Sequence, residues 1–278
     1  MTETKAERSP GLVLEFIALA AALVLGLPVL ALVGRAVFSG SLAMAAGLPV
    51  VADALTLSLL TTGASLALTV VLGLPLAFVL ARRHIRGAAL IETVIDLPIV
   101  LPPSVAGLAL LLLLGRRGFL GEPLAAMGIE LPFTTLAVVL AQAFVSTPLF
   151  IRSARSGLAA VDRELEDAAR VDGASEWQVV TRISLPIAAG SLAAGLVMAW
   201  ARSLGEFGAT IMFAGNVEGR TQTLPLLVYG EFQSGSLDAS IAAATVLVLA
   251  AFGVLATFRL LGRNAARVGK GAAELATG

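Results

Sequence analysis

The apolar positions along this chain come in long unbroken runs rather than in alternation. Six stretches are continuously apolar: residues 11–33, 55–80, 91–114, 134–151, 186–213 and 239–258. A helix needs roughly 20 apolar residues to cross the hydrocarbon core of a bilayer, and each run meets or nearly meets that length. The period-two alternation of a membrane-spanning strand is missing from them. The pattern predicts an all-α integral membrane protein of about six transmembrane helices, built as a single domain over 1–278. The first run is longer than a signal-peptide core, and Gly34-Arg35-Ala36-Val37 offers no small-x-small cleavage site. It reads as a retained helix.

Composition supports lipid as the solvent. Only 14% of residues are charged and 58% are hydrophobic, whereas a soluble domain carries about a quarter charged residues. There is no cysteine, which excludes disulfides, thiolate ligands and cysteine nucleophiles. The single histidine, His84, argues against a histidine metal site, so no metal and no bound cofactor are expected. A net charge of zero argues against nucleic acid as a partner.

Orientation follows from lysine and arginine, which are enriched in cytoplasmic loops. With the N-terminus inside, the inner segments hold Lys5, Arg8, Arg82, Arg83, Arg86, Arg152, Arg155, Arg163, Arg170, Arg182, Arg259, Arg263, Arg267 and Lys270. The outer loops hold only Arg35, Arg116, Arg117 and Arg220, and Arg202 falls within a span. Both termini are therefore expected to be cytoplasmic. The inner loop 152–185 stands apart, being long, polar and rich in both charges. Glu164 to Val171 lacks Gly and Pro, Gly173 suits a helix stop, and Trp177, Val180 and Ile183 recur at helical spacing before Pro186. Two short helices lying beneath the membrane are expected there, forming a docking surface.

That loop reads Glu166-Asp167-Ala168-Ala169-Arg170-Val171-Asp172-Gly173-Ala174-Ser175 and ends Ile183-Ser184-Leu185-Pro186. It resembles the EAA loop of bacterial ABC importer permeases. Asp167 aligns with the family glutamate, Glu166 precedes it, and either carboxylate could contact the ATPase. The resemblance implies a type I permease fold, with a cytoplasmic coupling helix in which Glu166, Asp167, Ala168, Ala169, Gly173 and Ala174 meet an ATPase subunit. Asp96-Leu97-Pro98-Ile99-Val100-Leu101-Pro102-Pro103, with Gly115-Arg116-Arg117-Gly118, is similar to the third span and outer loop of molybdate/tungstate permeases. Leu204 to Thr210, continuing through Phe213-Ala214-Gly215-Asn216 to Arg220–Pro225, resembles the same permeases, and much of it resembles sulfate permeases as well. The resemblance implies a homodimeric permease in a bacterial or archaeal cytoplasmic membrane. Two ATPase subunits and an extracytoplasmic binding protein would complete it. No G-x-x-x-x-G-K-[ST] phosphate loop occurs, so ATP and Mg would be used by the partner rather than by this chain.

Charges at membrane depth are costly and usually face a bundle interior or a water-filled path. Arg202 and Glu206 lie four apart and share a helix face; they are either a packing ion pair or part of a translocation path for an oxyanion. Pro102 and Pro103, with Pro98, kink or break the third span. Gly205 and Gly208 permit close backbone approach beside them. Arg116 and Arg117 are candidates for contact with a binding protein, or simply flank the membrane. Glu92 and Asp96 read as interfacial carboxylates near Arg82, Arg83 and Arg86. No catalytic constellation occurs, so the chain is not read as an enzyme. The competing readings are a sulfate/thiosulfate permease and an ion-coupled secondary transporter; the latter has no use for an EAA-like loop.

Overall fold

In hydrocarbon every backbone N–H and C=O must be satisfied within the chain, which leaves continuous apolar segments little alternative to the helix. The computed structural model describes residues 11–41, 43, 47–82 and 86–276, and no strand occurs among them. Lys5, Arg8, Arg83 and His84 lie outside the described residues. The chain runs α1 (Leu12–Phe38), α2 (Pro49–Arg82), α3 (Ala88–Val100), α4 (Pro103–Leu114), α5 (Gly121–Ala126), α6 (Thr135–Ala159), α7 (Arg163–Val171) and α8 (Glu176–Val179). A π-helical turn (Val180–Ser184) leads into α9 (Leu185–Leu204), followed by α10 (Gly208–Ala214), α11 (Leu224–Gln233) and α12 (Leu237–Ala276). Among the described residues, five helical segments are long and apolar enough to cross a membrane, and α3 with α4 makes a sixth if the bent pair counts as one span.

Two of the six expected spans are built differently from a straight helix. The run 91–114 is split, and the chain turns by 116° between α3 and α4. Leu101 and Pro102 are extended at the joint, with ψ of 136° and 135°. Pro98, Pro102 and Pro103 each withdraw a backbone donor there, so a straight helix would leave carbonyls unpaired. The run 186–213 is also divided. Its helix starts at Glu176, well before Pro186, and ends at Leu204, leaving 208–214 as the separate α10. Pro186 therefore does not open this helix. The Leu185 N–H reaches back five residues to the Val180 carbonyl, and the wider turn absorbs the donor that Pro186 lacks.

Helix α6 is the most buried span and lies between α2 and α9. Thr69 and Thr147 share a hydrogen bond of 3.0 Å, and Arg82 Nη1 donates to the Val161 carbonyl at 3.2 Å. Rising numbers meet rising numbers, so α2 and α6 run parallel. Contacts of Gly157 with Ser191, and of Gly195 with Ser153 and Phe150, make α9 antiparallel to α6. Two parallel neighbours require a crossing between them, and the bent α3–α4 pair supplies it. One face of the bundle thus carries the ends of α2 and α6 together with α7 and α8. The other carries the starts of α2, α6 and α12.

Packing falls into three apolar clusters. One joins α4, α6 and α10 through Leu110, Val138, Val145 and Phe213. A second joins α2, α6 and α9 through Leu80, Phe150, Leu158 and Ala188. The third ties Val51 and Ala54 of α2 to Leu224, Leu227 and Ala243. Helix α1 contributes little to any of them; its described side chains are nearly all exposed, and it touches the bundle along α12.

Candidate functional site: coupling segment and translocation path

The candidate coupling segment is built from strong local signals. Asp162 caps α7 by accepting the Glu164 N–H at 2.9 Å. At its other end Gly173 adopts φ +91°, and the Gly173 and Ala174 N–H groups bond back to the carbonyls of Arg170 and Ala169 at 3.0 and 2.9 Å. This is a Schellman closure, which a residue with a Cβ resists. Ser175 and Gln178 then form a reciprocal capping box that starts α8. The second expected short helix exists, but it continues into the membrane span instead of standing free.

The structure separates the two carboxylates that the sequence could not rank. The Glu166 side chain is 5% exposed, and its Oε1 accepts from Arg82 Nη2 and from Ser184 Oγ, both at 2.6 Å. Asp167, one residue on, is 72% exposed and pairs with Arg170 at 2.7 Å. Arg170 also binds Glu176 at 2.7 Å. The hydrogen bond to Glu176 above all, opposed by burial and aided by the hydrogen bond to Asp167, holds its guanidinium above the ordinary arginine range. Ala168 and Gly173 share the exposed side with Asp167, whereas Ala169 and Ala174 are half-buried. Leu165, Val171 and Trp177 of the same segment are exposed apolar side chains, Val171 at 87% and Trp177 at 74% exposed.

At membrane depth, Arg202 and Glu206 form the expected ion pair. Glu206 is buried, and its Oε1 also accepts the Ala209 N–H at 2.7 Å, closing the first turn of α10. Arg202 remains 32% exposed. Pro103 and Gly208 are in contact: a Cβ on Gly208 would lie 2.7 Å from the Pro103 Cβ. One turn on, a Cβ on Gly107 would lie 2.5 Å from the Ala209 carbonyl oxygen. Pro102 is exposed at the joint, and Gly205 ends α9. The structure thus brings Arg202, Glu206, Gly208 and Pro103 to one place, where α9 gives way to α10 against the start of α4.

Glu92 and Asp96 do not pair with Arg82 or Arg86. Their partners are Arg155 at 2.7 Å and Arg152 at 2.9 Å, across a cavity of about 130 Å³ between α3 and α6. Arg82 is spent on Glu166, which draws it away from them. Arg116 and Arg117 are exposed on the opposite face, and Arg116 meets Glu130 at 3.3 Å. No group of three metal-ligating side chains occurs among the described residues.

Sequence reasoning passed over a buried hydroxyl row on α2: Ser58, Thr61, Thr62, Ser65 and Thr69. Ser58 Oγ accepts the Leu224 N–H at 2.8 Å, and Ser65 donates to Ser203 at 3.0 Å. Their spacing of three and four within an apolar run was the available signal. It marks the side of α2 that faces other helices rather than lipid.

Apolar spans around a buried central helix, with a capped polar segment mounted on one face, define a membrane transport subunit. Residues 70–266 match the family described as binding-protein-dependent transport system inner membrane component, and the chain belongs to that family. It is 44% identical over 183 residues to the molybdenum transport system permease protein of Haemophilus influenzae, covering 66% of this chain and 80% of that one. The Escherichia coli K12 protein of the same description is 41% identical over 71% of this chain and 87% of its own length. A sulfate transport system permease protein of Synechocystis is 38% identical over 72% of each chain. A chain from the crystal structure of a bacterial ABC transporter that imports alginate shares the fold. Its TM-score is 0.73 at 17% identity, over 90% of this chain and 95% of that one.

Proposed function

We propose that this chain is the permease subunit of an ATP-driven importer for a tetrahedral oxyanion, molybdate or its near-isostere tungstate. The observation that carries the reading is the segment from Asp162 to Val179. It stands outside the apolar bundle, fully capped, and presents Leu165, Asp167, Ala168, Val171 and Trp177 outward. An exposed apolar patch rimmed by charge is the mark of a protein contact. Its fit is to a separate ATPase subunit, which binds ATP and Mg and pushes on the bundle. Molybdenum transport relatives at 41–44% identity support the substrate class.

The assembly is read as two copies of this chain with two ATPase subunits, both termini and α7 facing the cytoplasm. Arg116 and Arg117 then face an extracytoplasmic binding protein. Arg202 is the cation that meets the oxyanion, with Glu206 weakening its hold, because conduction requires a site that also lets go. The sulfate relative supports a second substrate reading, sulfate or thiosulfate.

Uptake of radiolabelled molybdate in cells lacking the gene, complemented with this chain and challenged with tungstate and sulfate, tests the proposal. Restored uptake that tungstate blocks and sulfate spares is expected. Uptake blocked by sulfate alone would move the assignment to sulfate. Purified protein that carries no ATPase subunit and transports on an ion gradient would overturn the ABC reading.

A further inference from the structure

Glu166 lies in the most polar stretch of the chain yet is among its most buried acidic side chains. Its Oε1 takes Arg82 Nη2 from the end of α2 and Ser184 Oγ from the π-helical turn, each at 2.6 Å. The same Arg82 donates through Nη1 to the Val161 carbonyl, just past α6, at 3.2 Å, and is itself only 8% exposed. Ser184 is placed by the wide turn and also approaches the Val179 carbonyl at 3.4 Å. One carboxylate therefore joins α7 to the inner ends of α2, α6 and α9. The elements packed most closely on α7 are α8 and the π-helical turn.

A desolvated ion pair is poor evidence for stability, because the loss of water offsets much of the attraction. It does hold geometry, because Glu166 Oε1 is fixed by two short hydrogen bonds from different helices and Oε2 lies 3.9 Å from Arg170 Nη2 on α7 itself. The exposed face of α7 is occupied by other residues, with Glu164 and Asp167 as its carboxylates. Glu166 is thus unavailable to a docked subunit.

We propose that Glu166, with Arg82 and Ser184, is a positioning residue that locks α7 rigidly to α2 and α9, so that movement imposed on α7 reaches the spans instead of being lost in the loop. This rests on the reading of α7 as the docking segment for an ATPase. Without the lock, the subunit still docks through the exposed face, but hydrolysis and transport come apart.

The test uses the complete transporter in proteoliposomes, with its ATPase subunit and molybdate-loaded binding protein, and reads molybdate uptake per ATP hydrolysed. Glu166→Gln keeps the shape and removes the charge. It is expected to lower that ratio about tenfold, the scale of an ordinary coupling free energy, while the ATPase subunit still co-purifies. The swap of Glu166→Arg with Arg82→Glu is expected to recover part of the ratio, which a loss of folding would not allow. Ser184→Ala removes one hydrogen bond and serves as the milder variant if Glu166→Gln does not assemble; a reduced ratio is expected there too. An unchanged ratio in Glu166→Gln, or in Ser184→Ala where the former fails to assemble, overturns the proposal. So does loss of the ATPase subunit from a folded Glu166→Gln, which would make Glu166 a docking contact. Wild-type protein that binds no ATPase subunit would instead defeat the underlying reading.

Discussion

Arg202 and Glu206 show how a short polar spacing becomes an element boundary. Four residues apart, they share a face, but Glu206 also caps α10 through the Ala209 N–H. Replacing Glu206 by Ala removes both roles and leaves Arg202 without its partner. A loss of about 3 kcal/mol is expected, at the low end for a broken buried pair because Arg202 is a third exposed. A lowered unfolding midpoint in detergent would show it. Arg202→Ala is expected to behave differently, losing molybdate uptake while the subunit still assembles; normal uptake at normal expression would remove Arg202 from the path. At Gly107 the constraint is steric. A Cβ there meets the backbone of Ala209, which cannot swing aside, so Gly107→Ala should cost about 1–3 kcal/mol by overpacking. The same unfolding measurement checks it, and a neutral result would mean that α4 and α10 can separate.

The elements were legible in the sequence to different degrees, for identifiable reasons. Continuous apolar runs located α1, α2, α6 and α12, because length and hydropathy are properties of one segment. The prolines foretold a break in the third span, but not a turn of 116°, which is set by packing of α4 on α10. The start of α9 was misplaced because Pro186 looks like a helix opener, and only the π-helical turn lets the helix run through it. The sequence places Glu92 and Asp96 near Arg82, Arg83 and Arg86, but their partners are arginines of α6, some sixty residues on, which spacing cannot reveal. The coupling segment was legible as a motif, yet Glu166 and Asp167 are indistinguishable without knowing where Arg82 lies. Its exposed apolar side chains give an element-scale prediction. Val171→Asp and Trp177→Ala together should abolish co-purification of an ATPase subunit while leaving the unfolding midpoint unchanged. Retained association would place the contact elsewhere.

Across the whole molecule, the parallel course of α2 and α6 decides which loops share a face. It puts Ser39 opposite the coupling segment and Asp172 within it. The chain has no cysteine of its own, so single cysteines introduced at these positions report without background. In intact cells, Ser39→Cys is expected to react with a membrane-impermeant thiol reagent and Asp172→Cys only after permeabilisation. The reverse pattern would invert the orientation that the arginine distribution implies.

The bend between α3 and α4 has an electrical side as well. Pro102 and Pro103 offer no N–H, so the carbonyls of Pro98 and Ile99 lack their usual donors four residues on. At the joint the backbone presents lone pairs to anything nearby. Water or a cation can answer them, while α4, which begins at Pro103, turns its positive end to the same place. The bend thus sets the negative end of one helix and the positive end of the next within four residues of each other, where Pro103 meets Gly208 at the start of α10.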